Sequence, residues 1–291
     1  MSIYSTFDQA QLDREYSPSS CVDDINVFLD AYASASRKAK DRAIKEGSCL
    51  PDIAYGRNED ERLDLFLPPT TDHAPLHIYI HGGYWQALSK EDSLFAAPMF
   101  QQHGSFFAAL NYSLAPNATL TQIVRQIRLA ISWLFEHSDN WGFDRDRITL
   151  SGSSAGAHLA IMMLLTEWSQ YGLPNDAIKG VCAVSGIYDL EPIRLSYVNE
   201  PLGMSLKEAA ANSPMGKKLR NHCPIILAYG DNETNEFKRQ TNEYRDFLLQ
   251  FGATVTFSEI EDRNHFDVVM DLMDENSWLA RQALKQIAGS C

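Results

Sequence analysis

The sequence predicts an α/β fold in which a mostly parallel central sheet is covered by helices on both faces. Short apolar runs at residues 77–80, 105–111, 180–185 and 224–229 alternate with segments of helical period, the strongest over 120–135. Continuous apolar runs of this kind are typical of strands buried on both faces of a parallel sheet. Polar motifs follow several of these runs directly, at the strand ends where α/β proteins bind their ligands.

The other elements follow in chain order. Residues 24–44 carry apolar side chains at three- and four-residue steps, which predicts a long helix. Residues 62–67 roughly alternate and end at Pro68 and Pro69, which predicts an edge strand. The remaining predicted elements are a strand at 147–150, a helical run over 159–165, a helix over 237–251, a strand over 254–260 and a closing helix over 277–287.

The chain of 291 residues is expected to form a single domain, residues 1–291, because no linker, composition shift or internal repeat divides it. Two segments depart from the alternation of strands and helices. They are the N-terminal helical segment, residues 16–47, and an irregular insert, residues 186–223. We expect both to contribute to a small lid.

The charge balance is acidic, with 25 lysines and arginines against 38 aspartates and glutamates, a formal net charge of −13 with neutral histidine. Because the chain has no basic stripe, nucleic acid and anionic membrane surfaces are poor partners for it. The N-terminus lacks the features of a signal peptide, and no apolar run is long enough to span a membrane. We therefore expect a soluble, cytoplasmic protein.

The cysteine pattern agrees with that location. None of the cysteines has C-x-x-C spacing, so we expect reduced thiols rather than a disulfide framework or a zinc site. They are Cys21, Cys49, Cys182, Cys223 and Cys291. Metalloprotease, dinucleotide-binding and Walker motifs do not occur in the sequence, so we expect neither a metal nor a cofactor.

Residues 152–156 read Gly-Ser-Ser-Ala-Gly, a G-x-S-x-G pentapeptide between a strand-like run and a helix-like run. This is the context of a nucleophile elbow, in which the glycines permit a turn so sharp that the serine side chain projects above the sheet edge. Ser154 is therefore the candidate nucleophile. The alternative is a plain helix start with Ser154 as its cap.

A serine hydroxyl needs a base to take its proton and an acid to orient that base. On an elbow of this type the order along the chain is serine, acid, histidine. Of the eight histidines, only His265 follows the acidic turn, so it is the candidate base. The acid stays open between Glu233, three residues after Gly230 and favoured by that spacing, and Asp231, which directly ends the strand.

A Gly-Gly turn follows the strand at 77–80 and can supply backbone donors to an oxyanion. The candidate donors are the N–H groups of Gly83, Tyr84 and Ala155, the residue after the nucleophile. The alternative is a simple strand-to-loop turn. We expect His81 to brace this loop by hydrogen bonds and His158 to pack against the sheet.

These motifs resemble those of the arylformamidases, or kynurenine formamidases, which are related to hormone-sensitive-lipase-type esterases. The matching segments are His81-Gly82-Gly83-Tyr84-Trp85-Gln86, Ser151-Gly152-Ser153-Ser154-Ala155-Gly156 and Asn264-His265. The aromatic pair after His-Gly-Gly is the discriminating part, because the esterases usually carry a third glycine there. Segments at 15–20, 111–116, 185–192 and 233–237 extend the likeness over nearly the whole chain. Ser153 departs from the pattern, since many relatives have histidine before the nucleophile.

The resemblance implies an α/β-hydrolase fold and hydrolysis of N-formylkynurenine to kynurenine and formate without a cofactor. It also favours Glu233 as the acid. A formyl group needs little space, whereas the aromatic leaving amine needs a slot. Trp85, Tyr188 and Tyr197, together with Tyr84, are expected to line that slot.

Two alternatives stay open beside this function. One is a carboxylesterase with broad tolerance for small esters, since the same fold supports many chemistries. The other is a non-catalytic small-molecule receptor on a hydrolase fold, a class that usually loses one of the motifs retained here. The expected partner is an aromatic acyl amide or ester, and a homodimer is one open oligomeric state.

Overall fold

The computed structural model describes residues 2–289, so Cys291 lies outside the described residues. Its strands are β1 (Cys49–Ala54), β2 (Arg62–Phe66), β3 (Ala74–Ile80), β4 (Phe106–Leu110), β5 (Phe143–Ser153), β6 (Ile178–Val184), β7 (Ile225–Asn232) and β8 (Val255–Asn264). They form one sheet with the order β1-β2-β4-β3-β5-β6-β7-β8. Strand β2 runs antiparallel to both β1 and β4, and the other neighbours are parallel.

The helices are α1 (Gln9–Glu15), α2 (Asn26–Glu46), α3 (Ala97–Gln102), α4 (Leu120–Glu136), α5 (Ser138–Trp141), α6 (Ala155–Leu164), α7 (Glu191–Leu195), α8 (Asn199–Leu202), α9 (Leu206–Asn212), α10 (Asn235–Gln250) and α11 (Trp278–Ala288). Local signals in the sequence explain the ends of the long ones. Thr119 and Gln122 form a reciprocal capping box at the start of α4. Helix α2 ends at Gly47, which has a left-handed backbone (φ 70°).

Two apolar layers enclose the sheet. On one face, α4, α6 and α10 pack against side chains such as Leu76 and Ile78. On the other face, α2, α3 and α11 pack against side chains such as Tyr79 and Phe107. Successive residues of β3 belong to opposite layers because strand side chains alternate between the two faces.

The predicted fold class is confirmed by this mostly parallel sheet with helices on both faces. One local prediction is wrong, because β2 is not an edge strand. The outer position belongs to β1, which the sequence analysis missed because its polar residues and Pro51 hide the strand pattern. The insert predicted as irregular folds into the three short helices α7, α8 and α9.

Five adjacent parallel strands, β3, β5, β6, β7 and β8, end at the same edge of the sheet. That edge carries the turns in which the candidate residues lie. Within residues 2–289, none of the helices combines the length and the apolar character needed to cross a membrane.

Candidate active site

Ser154 lies in the turn between β5 and α6 with a strained backbone, φ 56° and ψ −119°. Positive φ costs a non-glycine residue about 1–3 kcal/mol, so the surrounding structure must hold it. The Ser154 N–H donates to the carbonyl of Val184 (2.8 Å), and the Ser154 carbonyl accepts from the His158 N–H (3.1 Å). A Cβ on Gly156 would lie 2.0 Å from the carbonyl oxygen of Ile80, which explains why glycine is needed there.

His265, directly after β8, is joined to Glu233, directly after β7. Its Nδ1 donates to Glu233 Oε2 at 2.8 Å, and both side chains are at least nine-tenths buried. An ionised carboxylate only accepts hydrogen bonds, so this contact places the proton on Nδ1 and leaves Nε2 as the basic nitrogen. The pair therefore has the geometry of an oriented general base.

The other oxygen of Glu233 is held as firmly. Oε1 accepts from the Ser185 hydroxyl (2.6 Å) and from the Gly230 N–H (2.7 Å). Ser185 follows β6 directly, is fully buried and has a positive φ of 52°. No sequence motif predicts a role for this serine. Its place at the end of the strand between β5 and β7 is the signal that could have found it.

The alternative acid, Asp231, lies elsewhere. Its carboxylate accepts from the Arg263 N–H (3.1 Å), and its carbonyl accepts from the Lys238 ammonium. Within residues 2–289, no hydrogen bond joins Asp231 to His265. The structure thus brings Glu233, not Asp231, to the histidine, and Asp231 ties the ends of β7 and β8 together.

The loop that carries His265 is fixed from both sides. Asp267 accepts from the Asn264 backbone N–H (2.7 Å) and from its side-chain amide (2.9 Å). The Tyr32 hydroxyl of α2 donates to the carbonyl of Phe266. Phe237 covers the imidazole with its ring centroid 4.4 Å away. These contacts leave the imidazole little freedom to rotate away from Glu233.

The turn after β3 has left-handed backbone at three consecutive residues: Gly83 (φ 94°), Tyr84 (51°) and Trp85 (60°). A Cβ on Gly82 would lie 2.8 Å from the Ser153 carbonyl oxygen, so this turn touches the elbow directly. Within residues 2–289, the N–H groups of Gly83 and Tyr84 make no hydrogen bond. Ala155 opens α6, where backbone donors have no partner inside the helix. The predicted donors thus lie in turns around Ser154.

His81 and His158 are both fully buried and act in packing. His81 stacks on Tyr112 at 4.0 Å, and His158 shares a hydrogen bond of 2.7 Å with the carbonyl of Asn212. Burial lowers the pKa of each imidazole to about 4, so both are neutral at neutral pH.

A cavity of about 280 Å³ opens beside Ser154 and His265. Its apolar wall includes Ile25, Leu29, Leu88, Phe95, Phe266 and Val269. Tyr84 and Tyr197, both predicted for the slot, line this cavity. Tyr197 is 43 % exposed, and its hydroxyl accepts from the Ser17 hydroxyl (3.1 Å).

The other two aromatic residues predicted for the slot do not line the cavity. Trp85 is fully buried, and its ring packs edge-on against His158 at 5.0 Å, because the left-handed turn directs it into the core. Tyr188 is also fully buried and stacks on Tyr244 of α10 at 4.2 Å. For these two residues the prediction is corrected: both are core residues.

An acidic group away from this site, Asp52, Asp64 and Glu91, brings its carboxylates close together. Lysines occupy its centre. The Lys90 ammonium lies 2.7 Å from Asp64 and 2.8 Å from Asp52, and Lys40 lies 2.8 Å from Asp64. The cluster is therefore an ion-pair network in which two lysines bridge the three carboxylates.

The mostly parallel sheet and the strand–turn–helix at Ser154 define this protein as an α/β-hydrolase. The BD-FAE family model matches residues 63–234. A kynurenine formamidase from Danio rerio is 38 % identical over 100 % of both chains. The esterase LipQ from Mycobacterium tuberculosis is 28 % identical over 75 % of this chain and 57 % of its own.

Solved structures agree with this placement. A proposed thioesterase from a Silicibacter species superposes with a TM-score of 0.81 and 25 % identity, covering 93 % of this chain and 98 % of its own. The chain belongs to the kynurenine formamidase family. The resemblance stated from the motifs is thereby confirmed, and the protein is a hydrolase of small-molecule esters or amides. The receptor alternative has no support among these relatives.

Proposed function

We propose that this protein is a serine hydrolase that cleaves the formyl group from an aryl amide, converting N-formylkynurenine to kynurenine and formate. The observation that carries the proposal is the Glu233–His265 pair, whose histidine lines the same cavity as Ser154. The full-length likeness to a kynurenine formamidase supports the substrate.

The reaction begins when His265 Nε2 takes the proton of Ser154 and the serine oxygen attacks the formyl carbon. The N–H groups of Gly83, Tyr84 and Ala155 stabilise the oxyanion that forms. His265 then gives its proton to the leaving aryl amine, and a formyl ester remains on Ser154. Water activated by His265 releases formate, and Glu233 keeps the imidazole in one tautomer throughout.

The cavity suits this substrate. Its wall is largely apolar and aromatic, as an aromatic leaving amine requires. Pro18, Ile25 and Leu29 of the N-terminal segment and Tyr197 of the insert border the cavity, which supports their predicted part in a lid. We retain the single domain over 1–291 and the cytoplasmic location as parts of the proposal, and a homodimer stays one open oligomeric state.

The esterase alternative uses the same residues, and the likeness to esterase LipQ favours it as a second candidate. Kinetics separate the two functions. We expect kcat/KM for N-formylkynurenine to exceed that for phenyl acetate. An ester preference of several orders of magnitude would overturn the formamidase proposal and leave the esterase.

Covalent labelling tests the nucleophile separately. An organophosphate is expected to modify Ser154 in the folded protein, and Ser154→Ala is expected to lose both the label and at least about 10⁴-fold in kcat. Ser105→Ala is the matched control, since it removes a buried hydroxyl that bonds to the carbonyls of Pro75 and Phe106 near the start of β4. Equal labelling of both variants would refute the role of Ser154.

A further inference from the structure

Among residues 2–289, the active-site cavity carries one acidic side chain in a wall of apolar, hydroxyl, amide and imidazole groups. Asp92 lines it, and among residues 2–289 no lysine or arginine does. Asp92 is partly exposed and lies in the short helical turn Lys90–Asp92, which follows the turn after β3. The cavity therefore has negative charge without a protein cation to compensate it.

Only one oxygen of this carboxylate is used by the protein. Oδ2 accepts from the backbone N–H of Ser89 (3.1 Å) and from its hydroxyl (3.0 Å), which closes a capping box. Within residues 2–289, Oδ1 has no hydrogen-bond partner, and Asp92 takes part in no ion pair. The ammonium of the adjacent Lys90 points away, to Asp52 and Asp64.

The surroundings strengthen any contact with this charge. Leu29, Leu88 and Phe95 line the same cavity, and apolar walls lower the local dielectric. A partly desolvated carboxylate gains most when a cation pairs with it. A ligand that brings its own cation would supply the partner that the protein does not.

We propose that Asp92 binds an alkylammonium group on the leaving-amine side of the substrate and so selects the substrate class. The inference rests on the proposed function, because N-formylkynurenine carries such a group on its side chain. The reacting formyl group lies at Ser154, and the ammonium group lies at Asp92. Substrates whose leaving group carries no ammonium group lose this contact and are cleaved less efficiently.

Asp92→Asn tests the proposal without removing the cap, because the amide oxygen can still accept from Ser89. The variant is assayed with N-formylkynurenine and with its desamino analogue, which has the same formamide and no ammonium group. We expect kcat/KM to fall roughly ten- to hundred-fold for N-formylkynurenine, the range of a hydrogen bond to a charged group, and less than about threefold for the analogue.

Asp41→Asn is the matched control, since it removes the same charge from an exposed position of α2 that does not line the cavity. It should affect both substrates equally and slightly. Thermal unfolding verifies that each variant is folded. An equal effect of Asp92→Asn on both substrates, or no effect on either, would refute the assignment.

A second pair of substrates separates this inference from the proposed function. If the wild-type protein hydrolyses esters but no formamide, the proposed function fails. Asp92→Asn is then compared with the wild-type protein on two esters. They are the aryl acetate of tyramine, which carries an ammonium group, and its uncharged N-acetyl derivative. A selective loss with the charged ester upholds the ammonium site on an esterase. An equal loss with both esters, or no loss with either, overturns it.

Discussion

Two regions of the active site are built in different ways. One is the carboxyl edge of the sheet, where β5, β7 and β8 end; the other is the N-terminal wall of the cavity, which includes Ile25 and Leu29. Ser154, Glu233 and His265 each follow a strand directly, and β5, β6, β7 and β8 are consecutive neighbours. The wall comes from segments outside the sheet, such as Ile25 and Leu29 around the start of α2. The first region has its positions set by strand register, and the second has them set by packing between distant segments.

This difference separates chemistry from selectivity. Strand register places Asn232 opposite Asn264, which brings the turns with Glu233 and His265 together. If residues at such an edge act on the reacting bond as proposed, their loss should affect every substrate. If residues of the wall contact the leaving group, the effect of their loss should depend on which leaving group is used.

The two regions are nevertheless linked. The Tyr84 hydroxyl donates to the carbonyl of Tyr16 (2.7 Å), and the Thr234 hydroxyl donates to the carbonyl of Glu15 (2.6 Å). The Tyr16 hydroxyl in turn donates to Glu236 (2.7 Å). The N-terminal segment therefore contacts both the turn after β3 and the residues after Glu233.

The largest difference in kcat is expected between substitutions of the two acids in the turn after β7, Glu233 and Asp231. Glu233→Gln should lower kcat by roughly 10³–10⁴-fold for amides and esters alike, because the imidazole loses its tautomer control. Asp231→Asn should cost less than about tenfold, since its oxygen can still accept from Arg263. Steady-state kinetics with N-formylkynurenine and phenyl acetate measure both. A larger loss with Asp231→Asn would reverse the assignment of the acid.

The sequence predicts much of the edge and little of the wall. The elbow at 152–156, the acidic turn and the late histidine obey local rules of spacing and order, and the Gly-x-x-acid spacing favoured Glu233. Trp85 and Tyr188 show the limit, because an aromatic side chain beside a turn can face the core or the cavity with the same sequence pattern. Leu29 lines the cavity only through packing of α2 over residues far along the chain, which no short motif encodes.

Ser185→Ala, at the carboxyl edge, is expected to lower kcat for all substrates, but by a smaller factor than Glu233→Gln. Loss of a hydrogen bond to a charged group costs about 1.5–3 kcal/mol, so kcat should fall roughly tenfold or more. Without that bond Oε1 of Glu233 keeps only the Gly230 N–H as donor, so the carboxylate orients the imidazole less firmly. The loss in kcat should therefore be of similar size for N-formylkynurenine and phenyl acetate.

The control for this variant is again Ser105→Ala, which removes a fully buried hydroxyl that bonds to the carbonyl of Pro75 near the start of β4. It should leave kcat unchanged for both substrates. If both variants lower stability and neither lowers kcat, Ser185 only supports the fold.

Leu29→Ala, in the wall, is expected to have the smallest effect. That effect is a rise in KM that depends on the substrate. Removing apolar contact with the leaving group should raise KM for N-formylkynurenine about three- to tenfold at little change in kcat. That range corresponds to about one or two buried methylene groups at ~0.8 kcal/mol each, because Leu29 is only half-buried. Methyl formate has no aromatic group and should be unaffected. Leu249→Ala, at a 51 % exposed leucine of α10 outside the cavity, is the control. An equal fall in kcat with both substrates would mean that the wall positions the reacting groups as well, and the separation between the two regions would not hold.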